Sequence, residues 1–164
     1  MKIVISNKHD VVTNSEVSFF CKWVLAKFLT ERQLAKVQLR LLFRPNLVDD
    51  DHDRVDAKIL QRAKYKYTIT IEQNVKRSRV LFESLAHELV HLKDYVSGQL
   101  KSQQQGDYWQ GKRISKKTDY YDTPWEIEAF GRSHGLYVRY TQYKKRNRLE
   151  FKCRKNKRSQ QNKS

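Results

Sequence analysis

The stretch from Lys76 to Val96 constrains the fold most strongly, because its apolar residues recur with the spacing of an α-helix. Gly98 follows it, and glycine commonly ends helices. On a helical wheel at about 100° per residue, the leucines form one broad apolar arc, while His87 and His91 fall on the opposite side. We therefore expect the leucines to pack on a core and the two histidines to face a cleft or solvent.

Three other runs are rich in β-branched, aliphatic or aromatic residues and predict strands. They are Lys2–Ser6, Val37–Phe43 and Tyr65–Glu72. A helix is predicted from Asn14 or Ser15 to about Leu34, and another opens at Thr123–Pro124, where proline takes the first-turn position that it favours. This order of elements indicates a small α+β domain with a mixed sheet.

The predicted sheet is expected to pack against helices at 17–29 and 81–96. The Tyr65–Glu72 strand is expected to form the rim of a cleft, where an extended peptide could pair with it. A turn is predicted at Tyr108–Gly111, and Gly135 is expected to end or bend the last helix.

Charge is unevenly distributed along the 164 residues, which carry 34 Lys and Arg against 18 Asp and Glu, a formal net charge of +16. Residues 144–164 hold ten of these cations and one acid, Glu150. This segment is too polar to form a core, so we predict a folded domain at 1–143 and a disordered basic tail at 144–164. The charge favours a nucleic acid as partner of the tail, bound through phosphates without base reading.

The two cysteines, Cys21 and Cys153, are expected to be free thiols in a reducing compartment. The longest apolar stretch, Val17–Leu29, is interrupted by Lys22 and Lys27 and is too short to span a bilayer. The first residues lack the apolar core of a signal peptide. These features predict a cytoplasmic protein without membrane association.

A metal site is predicted by the sequence His87-Glu88-Leu89-Val90-His91. Two histidines four residues apart lie on one helix face and can share a Zn²⁺, and the glutamate between them can act on a water molecule. A catalytic zinc site needs a third protein ligand and keeps one position open.

The helix that opens at Thr123 offers that third ligand. Glu126 lies in the middle of its apolar face, where a carboxylate is costly unless it meets a cation or metal. It could instead close a capping box with Thr123. Glu128 points the other way and can pair with Arg132 one turn later. Glu126 is therefore the preferred ligand, Glu128 the alternative and His134 a weaker third choice.

Together these motifs resemble the zincin metallopeptidases, specifically the gluzincin pattern in which H-E-x-x-H is followed by a helix that carries a glutamate ligand. Glu126 to Ala129 is similar to the E-x-x-A stretch of that group, and the layout is similar to minimal SprT-like and ImmA-like domains. The segment DTPWEIEAFGRSHGL resembles small phage-encoded proteins assigned as metallopeptidases, so the compartment would be the host cytoplasm. The resemblance covers about residues 65–136.

The chain departs from that family in three respects. SprT-like enzymes place a histidine ligand soon after the second histidine, and none occurs here between His91 and His134. The four-cysteine zinc ribbon of many of them cannot be built from two cysteines. Phe130 stands where larger gluzincins often have an acid four residues after the third ligand.

The resemblance implies peptide hydrolysis with Zn²⁺ bound by His87, His91 and Glu126, and with Glu88 as the general base. Tyr120, Tyr121 and His134 are candidate donors to the oxyanion. Asp94 is either a residue that orients a histidine ligand or a solvent-exposed acid.

Three functions remain open on the sequence alone. The first is a zinc-dependent endopeptidase, acting on a protein or peptide, that nucleic acid brings to its target. The second is a non-catalytic basic DNA- or RNA-binding protein with a structural or vestigial zinc site. The third is a metal-binding regulatory module. Glu88 favours the first, because a structural site has no use for a glutamate between the histidines and normally has four protein ligands.

Overall fold

A four-stranded sheet forms the base of the fold in the computed structural model, which describes residues 1–49 and 52–161 and the side chains as far as Arg148. Its strands are listed here in chain order: β1 (Lys2–Ser6), β2 (Gln38–Arg44), β3 (Ala57–Ala63) and β4 (Lys66–Glu72). They are arranged β1-β2-β4-β3, with β1, β2 and β4 parallel and β3 antiparallel at the edge. The α+β prediction with a small mixed sheet is confirmed.

Strand β3 was not predicted, and it changes which strand forms the rim of the cleft. Four of its seven residues are exposed and none is buried, so it lacks the apolar alternation that marked the other strands. Because β3 pairs with β4 along its length, β4 lies inside the sheet. The prediction that Tyr65–Glu72 forms the rim was therefore wrong, and β3 takes that place.

One face of the sheet makes the core. Alternate residues of β2 and β4 are buried, because side chains along a strand point to opposite faces. These inward residues are Leu39, Leu41, Phe43, Tyr67, Ile69 and Ile71. They join residues of the helices in a single cluster of buried side chains. Among the described residues, those of the four strands alone line the groove on the opposite face of the sheet.

Two short helices replace the predicted helix from Asn14 to Leu34. They are α1 (Asn14–Leu25), capped by Thr13, and α2 (Glu31–Lys36). The break has a local cause: Thr30 and Gln33 form a capping box that starts a new helix. The apolar periodicity continues across this break, so periodicity alone did not reveal it.

The helix α3 (Ser78–Ser97) follows β4 and ends at Gly98, whose φ of 77° is the left-handed conformation that glycine adopts readily. A small antiparallel sheet comes next, formed by β5 (Leu100–Gln103), β6 (Gly106–Trp109) and β7 (Lys112–Arg113). The predicted turn falls between β6 and β7. A single 3₁₀ turn, Tyr120–Asp122, then leads into the last helix.

The last helix, α4 (Pro124–Gln161), continues without interruption through Gly135 and beyond residue 143, so it does not end at Gly135. It includes residues 144–161 of the predicted tail, and residues 162–164 lie outside the described residues. The segment lacks proline and glycine and is rich in Lys, Arg and Gln, which favour helix. Within the described part of the chain, no helix is long and apolar enough to cross a membrane.

Candidate metal centre

Helices α3 and α4 bring His87, His91 and Glu126 together. The Nε2 atoms of the two histidines are 3.0 Å apart. The carboxylate of Glu126 lies 3.0 Å from His87 Nε2 through Oε2 and 3.2 Å from His91 Nε2 through Oε1. All three side chains are largely buried, with exposed fractions of 13%, 8% and 4% for His87, His91 and Glu126. The spacing of four residues places both histidines on the side of α3 that faces α4.

The nitrogen and oxygen atoms of these three side chains have the chemistry and the spacing of ligands in a zinc site. Bonds of about 2.0–2.1 Å in a tetrahedron separate neighbouring ligand atoms by about 3.3 Å, close to the distances found here. Glu126 Oε2 is buried and lies 3.0 Å from His87 Nε2, but it makes no hydrogen bond of regular geometry among the described residues. The two imidazole nitrogens and the carboxylate can each act as a hydrogen-bond acceptor. At contact distance, such a set needs a shared proton or a cation. The residues therefore fit a divalent metal ion.

Electrostatics within the cluster point the same way. Burial by itself would raise the pKa of Glu126, but hydrogen bonds and charge from His87 and His91 hold it down to about 2. Burial would likewise lower the pKa of His91, and the neighbouring carboxylates, Glu126 first, reverse this and raise it. The cluster thus favours a negative carboxylate facing positive charge, and a bound metal ion would supply that charge in place of the imidazole protons.

The alternative ligands lie elsewhere. Glu128 Oε1 is 2.7 Å from both Arg132 Nε and Lys93 Nζ, so the predicted pairing with Arg132 is confirmed. The third choice, His134, is exposed, and its Nδ1 is 2.7 Å from Glu83 Oε1. Neither side chain belongs to the three-residue cluster.

Asp94 does not orient His91, contrary to one of the two predictions for it. It is completely buried, which also excludes the solvent-exposed alternative. Its Oδ1 lies 2.5 Å from Lys93 Nζ, and His91 Nδ1 has no hydrogen-bond partner among the described residues. Burial raises the pKa of Asp94 to about 6, against the opposing effect of Lys93.

Lys93 forms a link between α3 and α4 that sequence analysis missed. Its ammonium contacts Asp94, Glu128 and, at 3.1 Å, Gln99 Oε1, and the side chain is 7% exposed. A buried cation needs such partners, because an unpaired buried charge is strongly destabilising. The link fixes α4 against α3 two residues from His91 and two residues from Glu126.

Glu88 is buried beside the cluster and next to the edge strand β3. Desolvation raises its pKa, opposed by the nearby imidazoles of His91 and His87. A backbone hydrogen bond from Ile59 in β3 also lowers it. Since β3 is the edge strand, the free edge of the sheet lies close to the glutamate that the motif singled out.

Aromatic side chains surround the open side of the cluster. Phe130 packs edge-on against His87, with ring centroids 4.6 Å apart, and Tyr121 contacts Phe130. Burial, followed by the charge and hydrogen bonding of Glu126, raises the pKa of Tyr120, although 57% of this residue is exposed. Of the three candidate oxyanion donors, Tyr120 thus interacts with the cluster, Tyr121 lies at its rim and His134 lies elsewhere.

A cavity of about 340 Å³ opens next to Tyr120, between the small sheet and the start of α4. Asp107, Ile114 and Trp125 are among its lining residues. The sequence predicted neither this cavity nor the small sheet that forms one of its walls.

Comparison of the chain with protein-family models, with curated proteins and with solved structures finds no match. The function must therefore be argued from the site itself.

Proposed function

We propose that the protein is a zinc-dependent metallopeptidase of the zincin type, with His87, His91 and Glu126 as metal ligands. The observation that carries the proposal is the convergence of the two Nε2 atoms and the carboxylate oxygens within 3.0–3.2 Å in a largely buried position. Zinc held by two histidines and a glutamate supplies Lewis acidity, which acidifies water and polarises a carbonyl group.

Glu88 is proposed to be the general base. A carboxylate oxygen of Glu88 takes a proton from water as the water oxygen attacks the peptide carbonyl carbon. The carbon–nitrogen bond then breaks, and Glu88 returns the proton to the leaving amine nitrogen. Its burial next to the histidines supports this role, because proton transfer requires a carboxylate held close to the reacting water.

Tyr120 is proposed to donate a hydrogen bond to the oxygen that gains negative charge during attack. A raised pKa keeps the phenol protonated near neutral pH, as a donor must be. The edge strand β3 is the part of the sheet available to an extended peptide, which would add as a further strand beside Glu88. The exposed rings of Tyr121 and Phe130 offer apolar contact to its side chains.

A non-catalytic zinc protein is the weaker alternative. A structural zinc site would use four protein ligands, whereas three candidate ligands converge among the described residues. We further propose that nucleic acid binds the basic tail at 144–164 and brings the peptidase to its target.

The test is zinc analysis of the purified protein combined with casein cleavage. We expect one zinc per chain, loss of cleavage on chelation, and recovery when zinc is restored. A protein that retains no zinc, or one that cleaves equally well after the metal is removed, would contradict the proposal.

A further inference from the structure

The face of the sheet opposite the core forms a basic groove. Residues that alternate with the buried core positions point to this side, among them Lys2 of β1, Arg40 and Arg44 of β2, and Lys66 of β4. Together with Arg62 at the end of β3 they line a shallow groove of about 610 Å³. We call these five residues the basic face.

The cations of the basic face have no ion-pair partners. No acidic side chain lines the groove. Within the part of the chain that the structure describes, none of the five cations forms an ion pair. Glu72, the last residue of β4, is paired in register with Arg44, but its carboxylate accepts hydrogen bonds from the backbone N–H groups of Leu47 and Asn74. All five cations are exposed and available to a partner.

The cations are spread out and do not converge on one point. Lys2 and Lys66 are both paired in register with Gln38, so they lie two strands apart, about 10 Å at the usual spacing. Arg40 and Arg44 are four residues apart on one strand, about 13 Å. Such a spread does not enclose a single small anion. It matches an extended polyanion whose charges repeat every few ångströms.

We propose that the basic face binds the phosphate backbone of a nucleic acid. The groove offers cations together with the exposed amide of Gln38, which suits phosphate and sugar contacts. It offers no ring for base stacking, because Tyr67 is 3% exposed and packs against Tyr95 in the core. Binding is therefore independent of base sequence.

This site is separate from both the candidate metal centre and the basic tail. The metal cluster lies on the helix side of the sheet, so a nucleic acid on the open face leaves the cleft beside β3 free. The inference does not rest on peptide hydrolysis and holds for a chain without enzymatic activity. The folded domain thus contributes to nucleic-acid binding through the basic face, separately from the tail.

The first test neutralises part of the basic face in the full chain. Arg40→Gln combined with Lys66→Gln is compared with Lys22→Gln combined with Arg32→Gln, two exposed cations of α1 and α2 outside the groove. Binding to a short duplex DNA and a short duplex RNA is measured by fluorescence anisotropy over a range of salt concentrations. The two duplexes distinguish which nucleic acid the face accepts.

We expect the basic-face variant to raise Kd by about tenfold or more and to make the slope of log K against log salt less steep by about two, since each phosphate contact contributes about 0.9. The matched variant should change Kd by less than about twofold. Equal weakening in both variants would overturn the proposal, because net charge alone would then explain binding. The proposal would also be overturned if the basic-face variant bound the duplexes with an unchanged salt slope but bound polyglutamate or anionic vesicles more weakly than the unaltered chain does.

A second measurement uses the unaltered chain and does not depend on how variants fold. Lysine acetylation is followed by mass spectrometry with and without the duplex. Protection of Lys2 and Lys66, with no protection of Lys22, is expected. Equal modification of all three lysines in the presence of saturating duplex would contradict a contact on the basic face.

Discussion

The two faces of the sheet carry charge in opposite ways. On the helix side, His87, His91 and Glu126 crowd their acceptor atoms into a buried cluster that the described residues leave without a cation. On the open side, five exposed cations are spread over four strands, and none of them forms an ion pair among the described residues. The helix side therefore has an excess of acceptor atoms, and the open side has an excess of cations.

The difference indicates what kind of partner each face recruits. The side chains of a buried, convergent cluster are already ordered by the fold, so the cluster suits one small ion in fixed geometry. A spread of exposed Lys and Arg side chains keeps its rotamer freedom and suits a long polyanion contacted at many points. If both proposals hold, the sheet separates the reaction site from the nucleic-acid site, and each half of the comparison can be tested alone.

The largest expected effect comes from Glu88→Gln. The amide keeps the size of the side chain but cannot accept the proton of the attacking water, so hydrolysis should fall by about 10²–10⁴-fold while zinc content is unchanged. Casein cleavage and zinc analysis on the same sample measure both. Retained cleavage would remove Glu88 from its role and leave the helix side as a metal site alone.

Replacing Glu126 should have the next largest effect, on metal affinity. Glu126→Gln removes a charged ligand and is expected to weaken zinc binding by at least about a hundredfold, more than the loss of a group that supports a ligand. Glu128→Gln is the matched control on the same helix, because its carboxylate contacts Lys93 and Arg132.

The control should keep its zinc and lose thermal stability, since Lys93 is left with one carboxylate fewer. Zinc competition assays separate the two variants. Equal loss of zinc from both would show that the cluster does not distinguish these two glutamates.

Sequence analysis found the parts of the site that lie on regular helices. Periodicity placed His87 and His91 on one side of α3 and indicated that Glu126, not Glu128, faces them, which is the arrangement observed. The prediction worked because one turn of a helix fixes which residues share a face. That Glu126 binds metal stays a prediction.

Contacts between distant segments were not predictable in this way. Strand β3 is an edge strand with few buried residues, so it lacks an apolar pattern, yet Ile59 reaches Glu88 across the cleft. Lys93 looked like any charged residue of a helix, and only the packing of α4 on α3 buries it. The basic face was missed because its cations alternate with core residues on separate strands, and pairing brings them together.

Deleting residues 144–164 tests how binding is shared between the tail and the basic face. If about six of the ten cations in this segment contact phosphates, the deletion should flatten the salt slope by about five. Zinc content should not change, because all three candidate ligands precede residue 144. Deletion of 159–164, which removes one cation, is the control. A slope that survives the longer deletion intact would assign all of the binding to the folded body.

The smallest expected effect concerns Glu72, the last residue of β4, which is paired in register with Arg44 of β2. Leu47 and Asn74 donate backbone hydrogen bonds of 2.6 Å and 2.9 Å to its carboxylate, and these lower its pKa despite the opposing effect of burial. A lowered pKa in the folded state means that the group stabilises the fold above its usual pKa of about 4.3 and loses this contribution as pH falls through the folded value. Because Glu72 is partly exposed, we expect no more than about 1 kcal/mol.

Melting temperatures across the acid range should therefore differ most between wild type and Glu72→Gln near neutral pH, and the two curves should converge below about pH 4. Glu31→Gln, an equal change of charge on the exposed surface of α2, is the control and should leave the shape of the curve unaltered. The basic face enters through a second readout. If Glu72 is engaged by the backbone and does not neutralise Arg44, its replacement should leave duplex binding within about twofold of wild type. A large gain in binding would instead show that Glu72 masks the basic face, and the contrast between the two faces of the sheet would be weaker than the geometry indicates.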